Sequence, residues 1–407
     1  MLYRNDEAFA RGLAVRHAVA SMRPPLRMHL AIIYATVIAA IFLASGCVTT
    51  APGSSTGPIT IERQGSFFVG GRQVTAAGTF DPTASTAPPS AGQTFWIDQM
   101  YVQYQIPPNA RKLPLVFVHG GGGTGRVWET TPDGREGFQT IFLRRGFPVY
   151  IVDSPRGGRS GFPSFTGPMG KLDDKQQVVP GTTFTPGREH AWSRWRIGPK
   201  YPEVFPVQAF PINAVDQFLQ HVRPVVSDDP QVISAALVAL LDKIGPAVLV
   251  THSASGQYGW LVAARSPNVK GIVSYEPGFV FPQGEVPAPI PLFTGTQAAG
   301  RSYTNAGEAI TQQEFANLAT VPIQVVFGDN IPKQPIPDLV ADGRRAQVLT
   351  APMFVDALTR RGGKASVLML PDAGLRGNSH FMISDLNNVE VADQLSAFLT
   401  RNGLDTR

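Results

Sequence analysis

Hydrophobic residues alternate with polar ones near the start of the chain and form short uninterrupted runs further on. Residues 65–75 and 95–106 have strand character, and in the second segment Met100, Val102 and Tyr104 alternate with polar positions. A period of two is typical of a strand with one buried face. The two segments are therefore predicted to be antiparallel strands that open the fold.

Six apolar runs follow, each ending in a polar or glycine-rich turn. Runs without alternation suit strands buried on both faces of a parallel sheet. Helical patterns lie between several of them, and strands that alternate with helices predict an α/β fold with a mostly parallel sheet flanked by helices. The runs occupy residues 113–123, 147–154, 246–253, 269–278, 321–330 and 364–371, and the helical patterns occupy residues 134–146, 255–266, 346–361 and 388–402.

Residues 155–240 interrupt this alternation. The segment is rich in proline, glycine and aromatic residues, and helical patterns occur only towards its end, at 213–223 and 231–244. We interpret it as a lid inserted over the carboxyl edge of the sheet, in which Trp192 and Trp195 pack the segment down or line a pocket. An ordinary crossover with long loops is the alternative.

Composition excludes some classes of protein. The chain has 407 residues, of which 43% are hydrophobic and 16% charged, so a large buried core is available. The formal net charge of +5 is largely carried by residues 1–46, which hold five arginines against two acidic residues. The remainder has no basic stripe with interleaved aromatic residues, which argues against nucleic acid as a partner. A single cysteine, Cys47, allows no intramolecular disulfide.

The N-terminal segment has the layout of a secretory signal. Arg23 and Arg27 precede an uncharged apolar stretch that ends in small residues before Cys47. The final LASGC resembles the lipobox of bacterial lipoproteins, with Ala44 in the position where leucine is usual. We therefore predict a lipoprotein-type signal peptide over residues 1–46 and lipidation of Cys47; an uncleaved anchor and ordinary secretion are the alternatives.

This signal sets the predicted organisation and location. Residues 47–60 are predicted to be a flexible tether and residues 61–407 the folded domain. Met22 is a second candidate for the start of the chain, because it gives a basic region of more usual length. The protein is expected at the bacterial cell envelope, exported and anchored to the membrane through Cys47. By resemblance to sorting in known lipoproteins, Val48 favours the outer membrane.

Three polar residues are candidates for the chemistry, since ligands of open α/β sheets bind beyond the carboxyl ends of the strands. Ser253, Glu276 and His380 follow the order nucleophile, acid and base that α/β-hydrolases share. A serine hydroxyl needs a base to become a nucleophile. The residues two positions away, Thr251 and Ser255, are small, although the strict G-x-S-x-G motif is not met. For the serine alone, a helix cap is the plain alternative.

A glycine-rich loop follows the first buried run. Its sequence, VHGGGGTG at residues 118–125, lets backbone N–H groups approach a reacting oxygen because no Cβ is in the way. The N–H groups of Gly121 and Ala254 are the predicted oxyanion hole. A phosphate-binding loop is the alternative, but the spacing of the phosphate and dinucleotide fingerprints is missing.

His380 is the predicted base, because it lies in a glycine-rich loop between the last apolar run and the C-terminal helical pattern. The acid stays open between Glu276 and Asp329, each of which ends a core run and is able to orient an imidazole. The other histidines lie in the leader, before the oxyanion loop, in the predicted lid or beside the serine: His17, His29, His119, His190, His221 and His252.

Six blocks of the sequence resemble a small group of exported bacterial serine esterases of the α/β-hydrolase superfamily. In that group the acid is a glutamate in an E-P-G block after the sixth strand, so the resemblance implies the triad Ser253, Glu276 and His380. These relatives have bulkier residues after His-Gly, where this chain has Gly121 and Gly122, which implies a more mobile oxyanion loop. The blocks are HGGGGTGRVWETTPDGREGF (119–138), FLRRGFPVYIVDSPRGGRSG (142–161), THSASG (251–256), IVSYEPG (272–278), VVFGD (325–329) and GNSHFMI (377–383).

Together these features predict an α/β-hydrolase fold with a mostly parallel sheet, an antiparallel N-terminal hairpin and an inserted lid. The expected activity is hydrolysis of a small-molecule carboxylic ester through an acyl-enzyme, with no metal or organic cofactor. Amides, thioesters and lactones require the same machinery. The alternatives from other classes are a catalytically silent binding module on the cell envelope, and a chain anchored for envelope assembly with incidental activity.

Overall fold

The computed structural model describes most of the chain after the predicted tether. Residues from Pro58 onward form one compact unit. The predicted signal peptide, Cys47 and the tether up to residue 56 lie outside the described residues. The described residues are 57–83, 91–161, 170–172, 178–180, 186–223, 229–293 and 308–407.

Eight strands form the central sheet, in the order β1-β2-β4-β3-β7-β8-β11-β12. The pairs β1–β2 and β2–β4 are antiparallel and all other neighbours in this sheet are parallel. The strands of the chain are β1 (Arg63–Thr75), β2 (Thr94–Ile106), β3 (Leu115–Val118), β4 (Val149–Asp153), β5 (Gly170–Leu172), β6 (Val178–Pro180), β7 (Ala247–His252), β8 (Val269–Tyr275), β9 (Val280–Pro282), β10 (Glu308–Ile310), β11 (Ile323–Phe327) and β12 (Ala365–Met369). The opening antiparallel hairpin is confirmed, and each predicted apolar run contains one strand.

Helices cover both faces of this sheet. They are α1 (Phe138–Arg144), α2 (Arg188–Arg194), α3 (Val215–Leu219), α4 (Pro230–Ile244), α5 (Ser255–Arg265), α6 (Gln312–Leu318), α7 (Leu339–Thr359) and α8 (Asn388–Arg401). Their limits follow from local chemistry. For example, α4 begins where the Asp229 side chain accepts from two backbone N–H groups, with Pro230 in the first turn, and ends at Gly245 with a φ of 85°.

The buried core lies on the two faces of the sheet, because successive residues of a strand point to opposite sides. In β3, Val116 and Val118 belong to the cluster that includes residues of α4, α5 and α7, such as Trp260. Leu115 and Phe117 belong to the cluster on the other face, with α1 and α8. Strands buried on both sides explain why the sequence shows continuous apolar runs there.

The start of α7 differs from the predicted one. Helix α7 begins at Leu339 rather than at residue 346, because Asp338 caps it and because Asp342, Arg344 and Arg345 are buried although they are charged. Charged residues on a buried face hide the amphipathic period from a sequence pattern.

The predicted lid stays a prediction, but its last part is a helix of the core. Helix α4 packs against β1 and β2, with Ile233, Leu237 and Leu240 buried. Among the described residues, no helix combines the length and the hydropathy needed to cross a membrane.

Candidate active site

Ser253 occupies a sharp turn between β7 and α5. Its φ is 56°, in the left-handed region that side chains other than glycine rarely adopt. The turn is held by the Ser253 N–H, which donates to the Tyr275 carbonyl oxygen at 2.8 Å. Ser255 is buried, and its Oγ accepts from the His252 N–H and lies 2.9 Å from the Val118 carbonyl oxygen. A hydroxyl in this position therefore ties the turn to the neighbouring strand, which explains the departure from a glycine there.

Two glycines allow the surrounding segments to approach this turn. A Cβ on Gly256 would lie 2.2 Å from Cβ of Pro277, and a Cβ on Gly120 would lie 3.0 Å from Cβ of Ser253. The first distance is shorter than real Cβ contacts, and the second is tighter than nine in ten of them. The glycines thus bring the E-P-G segment and the glycine-rich loop against the serine.

The structure brings Ser253, His380 and Glu276 together. His380 Nε2 lies 3.1 Å from Ser253 Oγ, and His380 Nδ1 lies 2.6 Å from Glu276 Oε2. The serine is half-buried, whereas Glu276 is completely buried at the end of β8. In this arrangement the imidazole is placed to accept the serine proton at Nε2 while Nδ1–H donates to the carboxylate.

Asp329, the alternative acid, has other partners. Its Oδ2 accepts from the Gly377 N–H and its Oδ1 from the Asn330 N–H, both at 2.8 Å. It therefore joins the end of β11 to the loop that carries His380. The imidazole itself contacts Glu276.

Glu276 is also held by the guanidinium of Arg196. Arg196 Nη1 donates to Glu276 Oε2 at 2.8 Å, and Arg196 Nη2 donates to Oε1, which also accepts from the Gly328 N–H. Burial opposes ionisation of this carboxyl, but the charges of Arg196 and His380 and their hydrogen bonds outweigh it and hold the pKa of Glu276 well below its usual range. The carboxylate is thus fixed in position and charged.

The glycine-rich loop lies beside the serine. Gly121 and Ala254 both line the cavity in front of Ser253. Among the described residues, no protein group accepts from the N–H of either. The loop is fastened by Arg223, whose backbone N–H donates to the Gly122 carbonyl oxygen at 2.9 Å and whose Nε donates to that of Gly123 at 3.0 Å.

Two cavities meet at the serine. One of about 490 Å³ contains the glycine-rich loop, His380 and Trp195 in its wall. The other, of about 440 Å³, extends towards α7. The two share four lining residues, namely Arg194, Ser253, Ala254 and Arg344. Within the described ranges, no cluster of histidine, cysteine, aspartate and glutamate is arranged to hold a metal ion.

Comparison with known proteins identifies the family of the chain and two similar proteins. Residues 115–394 match the model of the Alpha/beta hydrolase family. The chain belongs to this family. A probable secreted lipase, phiG, from a fungal species (strain ATCC 74256), is 30% identical over 325 residues, which cover 74% of this chain and 86% of the lipase. A bacterial esterase of known structure matches with a TM-score of 0.69 and 35% identity, covering 86% of this chain and 99% of the esterase.

In this α/β-hydrolase a second buried histidine, His252, contacts His380. Its Nε2 lies 2.8 Å from the carbonyl oxygen of His380. Burial lowers the pKa of His252 to about 4, so the ring is neutral and donates from Nε2 to that carbonyl. His252 therefore holds the backbone of His380. The sequence placed His252 beside the serine but did not indicate this contact.

The loop that carries His380 is also fixed from below by Asp385. This buried carboxyl accepts from the Ser379 N–H and from its Oγ, each at 2.7 Å, and from Asn378 Nδ2. Burial raises the pKa of Asp385 to about 7, although these donors oppose the rise. The position of the imidazole thus depends on contacts on both sides of the loop.

Arg344 is another residue whose role the sequence did not indicate. It lies on α7, and its Nη2 is 3.1 Å from His380 Nε2 while its Nη1 donates to Gln347 Oε1 at 2.7 Å. Burial lowers the pKa of Arg344 to about 10, which leaves it a cation at neutral pH. Burial and this cation together hold the pKa of His380 well below its usual range, against the opposite effect of Glu276. Arg344 lies just before the predicted helical pattern 346–361, and a single arginine there carries no sequence signal for such a position.

Proposed function

We propose that this α/β-hydrolase is a serine hydrolase of carboxylic esters that acts through an acyl-enzyme. The observation that carries the proposal is the short chain of hydrogen bonds from Ser253 through His380 to Glu276, with the serine on a left-handed turn in front of a cavity. A nucleophile, a base and an orienting carboxylate in this geometry are the parts that acyl transfer needs.

The reaction follows from this arrangement. Ser253 Oγ attacks the ester carbonyl carbon while His380 Nε2 takes the hydroxyl proton. The resulting imidazolium is stabilised by the Glu276 carboxylate. The carbonyl oxygen becomes negative and accepts from the N–H groups of Gly121 and Ala254. His380 then gives its proton to the departing alcohol, and a water molecule releases the acyl group by the same steps.

Carboxylic esters are the substrate class that the relatives favour. One is named a lipase and the other an esterase. Amides, thioesters and lactones pass through the same tetrahedral intermediate, so they are secondary candidates. The steps above use protein groups only and require no metal or organic cofactor.

Covalent labelling tests the nucleophile and base. The full chain, purified in detergent, is treated with an activated alkyl phosphonate and digested, and the adduct is located by mass spectrometry. We expect a single adduct on Ser253, its loss in Ser253→Ala, and labelling at least roughly 100-fold slower in His380→Ala. An unlabelled Ser253 in protein that still unfolds cooperatively would contradict the proposal and would favour a silent binding module.

We also propose that the chain is exported and anchored by lipid at Cys47, in the outer membrane of the bacterial envelope. The support is the signal-like segment 1–46 and the lipobox-like end of it, together with a relative that is named as secreted. Growth with an alkyne-tagged palmitate should label the protein, and Cys47→Ser should abolish the label. Equal labelling of the two proteins would show that Cys47 is not the lipidated residue.

A further inference from the structure

The wall of the two cavities at Ser253 is positively charged. Arg194 and Arg344 line both cavities, and neither cavity has an aspartate or a glutamate among its lining residues in the described ranges. Glu276 lies behind His380 and is completely buried. A substrate in these cavities therefore lies beside two arginines and, within the part of the chain that the structure describes, beside no carboxylate.

Arg344 differs from the other buried arginines around it. Arg196 is paired with Glu276, and Arg345 is paired with Asp342 at 2.5 Å. Arg344 is only 8% exposed, yet among the described residues its Nε has no hydrogen-bond partner. The carboxylate oxygen nearest to that Nε is Glu276 Oε2 at 4.0 Å, and this oxygen already accepts from two other residues.

The guanidinium is also adjacent to the reacting groups. Its Nη2 and Ser253 Oγ both lie 3.1 Å from the same atom, His380 Nε2. Any group bound by Arg344 is therefore close to the carbonyl that Ser253 attacks. A buried cation beside His380 is unfavourable for the reaction unless an anion compensates it, since a positive charge opposes formation of the imidazolium that the reaction requires.

We propose that the substrate is an ester that carries a carboxylate a few bonds from the scissile carbonyl, and that Arg344 binds this carboxylate with Arg194 at the same wall. The inference rests on the proposed function of Ser253. A planar guanidinium with free N–H groups matches a carboxylate in a two-point contact. Arg344 is a specificity-determining residue in this proposal.

Binding of the carboxylate has a second effect on the reaction. The negative charge compensates Arg344, so the imidazolium of His380 forms beside a neutral pair instead of beside a bare cation. The remainder of the second cavity suits a short chain, because Leu292, Leu339 and Val340 supply an apolar wall. An acidic ester is thus expected to gain in binding and in turnover.

Matched pairs of esters test the proposal. In each pair a carboxylate is replaced by the carboxamide of the same shape: monoethyl glutarate against ethyl 4-carbamoylbutanoate, with the charge on the acyl side, and acetoxyacetate against acetoxyacetamide, with the charge on the alcohol side. Hydrolysis is followed in a pH-stat. The measured quantity is the ratio of kcat/KM for acid and amide within a pair.

We expect the unaltered protein to prefer the acid in at least one pair. In Arg344→Met this ratio should fall roughly 10- to 100-fold, the usual effect of losing a charge-assisted hydrogen bond. Arg344→Lys, which keeps the charge without the fork, should lie between the two. Arg360→Met removes an equal charge at the exposed end of the same helix and should keep the original ratio. Thermal unfolding of each variant establishes that it is folded.

Direct binding provides a measurement that needs no turnover. Glutarate and the neutral glutaramide are titrated into the unaltered protein and into Arg344→Met by calorimetry. Glutarate binding that weakens at least roughly 10-fold in the variant, with little binding of glutaramide, supports the site. Acid and amide esters hydrolysed equally, or glutarate binding that is equal in both proteins, overturns it.

The two proposals fail in different ways. If the protein hydrolyses the carboxamide ester of each pair as fast as the carboxylate ester, the carboxylate site is overturned and the serine hydrolase proposal stands. Arg344-dependent glutarate binding in a protein whose Ser253 accepts no phosphonate would overturn the hydrolase and leave an anion-binding site.

Discussion

Glu276 is a buried carboxylate that meets an imidazole on one side and a guanidinium on the other. Its φ of 49° is left-handed, like that of Ser253, so two residues of the proposed triad have a backbone conformation that costs free energy. The pair with Arg196 compensates the burial of its charge. The charge and the position of Glu276 therefore depend on the side chains that it contacts.

The choice between Glu276 and Asp329 is testable by amide substitution. Glu276→Gln should lower kcat on a neutral ester about 10³- to 10⁴-fold, because the imidazolium loses its carboxylate. It should also lower the free energy of unfolding by about 3–5 kcal/mol, because Arg196 becomes a buried charge without an opposite charge beside it. Enzyme assays and urea unfolding measure the two effects.

Asp329→Asn is the matched control for that substitution. It weakens the contact with the Gly377 N–H and should cost about 1–3 kcal/mol of stability, with a change in kcat of less than about tenfold because the imidazole loses no partner. The reverse ranking of the two variants would assign the role of the acid to Asp329.

The turn from β7 to α5 and the segment after β8 act as a pair of elements. The first presents Ser253 and the second presents Glu276, and they touch where Gly256 meets Pro277. The strands β7 and β8 are neighbours in parallel register, with His252 opposite Tyr275. The spacing of serine and glutamate is therefore set by one strand pair and one glycine contact.

Gly256→Ala should disturb both the packing at this contact and the position of Glu276. The new methyl group would overlap Pro277, so we expect a loss of about 1–3 kcal/mol in the free energy of unfolding and a lower kcat, because Glu276 is displaced. Urea unfolding and ester hydrolysis provide the measurements. Gly343→Ala, at a helical glycine where a Cβ would meet nothing within 4 Å, should instead be neutral or stabilising by up to about 1 kcal/mol. Equal effects of the two substitutions on the free energy of unfolding would argue against a role for the close approach of Gly256 and Pro277.

Several histidines around the carboxyl edge of the sheet are buried in the folded protein and neutral. Burial lowers the pKa of His119, of His221 and of His252 to about 4, and burial with Arg344 holds that of His380 well below its usual range. Asp385 has the opposite effect on the change of stability with pH, because its pKa is raised to about 7. The balance of these groups decides how stability changes with acidity.

Stability is expected to fall as the pH drops from 7.5 to 4.5. In that range the unfolded chain binds protons on four histidines that the folded protein keeps neutral, whereas Asp385 binds one more proton when folded. Because the histidines outnumber the aspartate, we expect a net loss on the order of 5–8 kcal/mol. Urea unfolding at the two pH values measures it. In His252→Gln the difference should be smaller, and equal stability at both pH values would contradict the argument.

The order and type of most elements were determined by the sequence itself. Strands buried on both faces leave continuous apolar runs, and the opening hairpin leaves an alternation of period two, so a local pattern was sufficient for both. The same holds for Ser253, which ends a buried run, and for His380, which lies in the loop after the last run, because such positions lie at the carboxyl edge. The α/β fold was predictable on this basis, and the resemblance of six sequence blocks to known esterases indicated the family.

Only the tertiary structure decided which distant residues meet. From the residues alone, Glu276 and Asp329 were equivalent ends of neighbouring strands, and a resemblance was needed to prefer one. Arg196 and Arg344 lie far from Glu276 and His380 in the sequence, in segments whose local pattern gives no reason for a buried cation. A charge at such a position is stabilised by partners from other parts of the chain, and no periodicity records those partners. The chemistry of the pocket wall therefore became visible only when the packed fold brought these segments together.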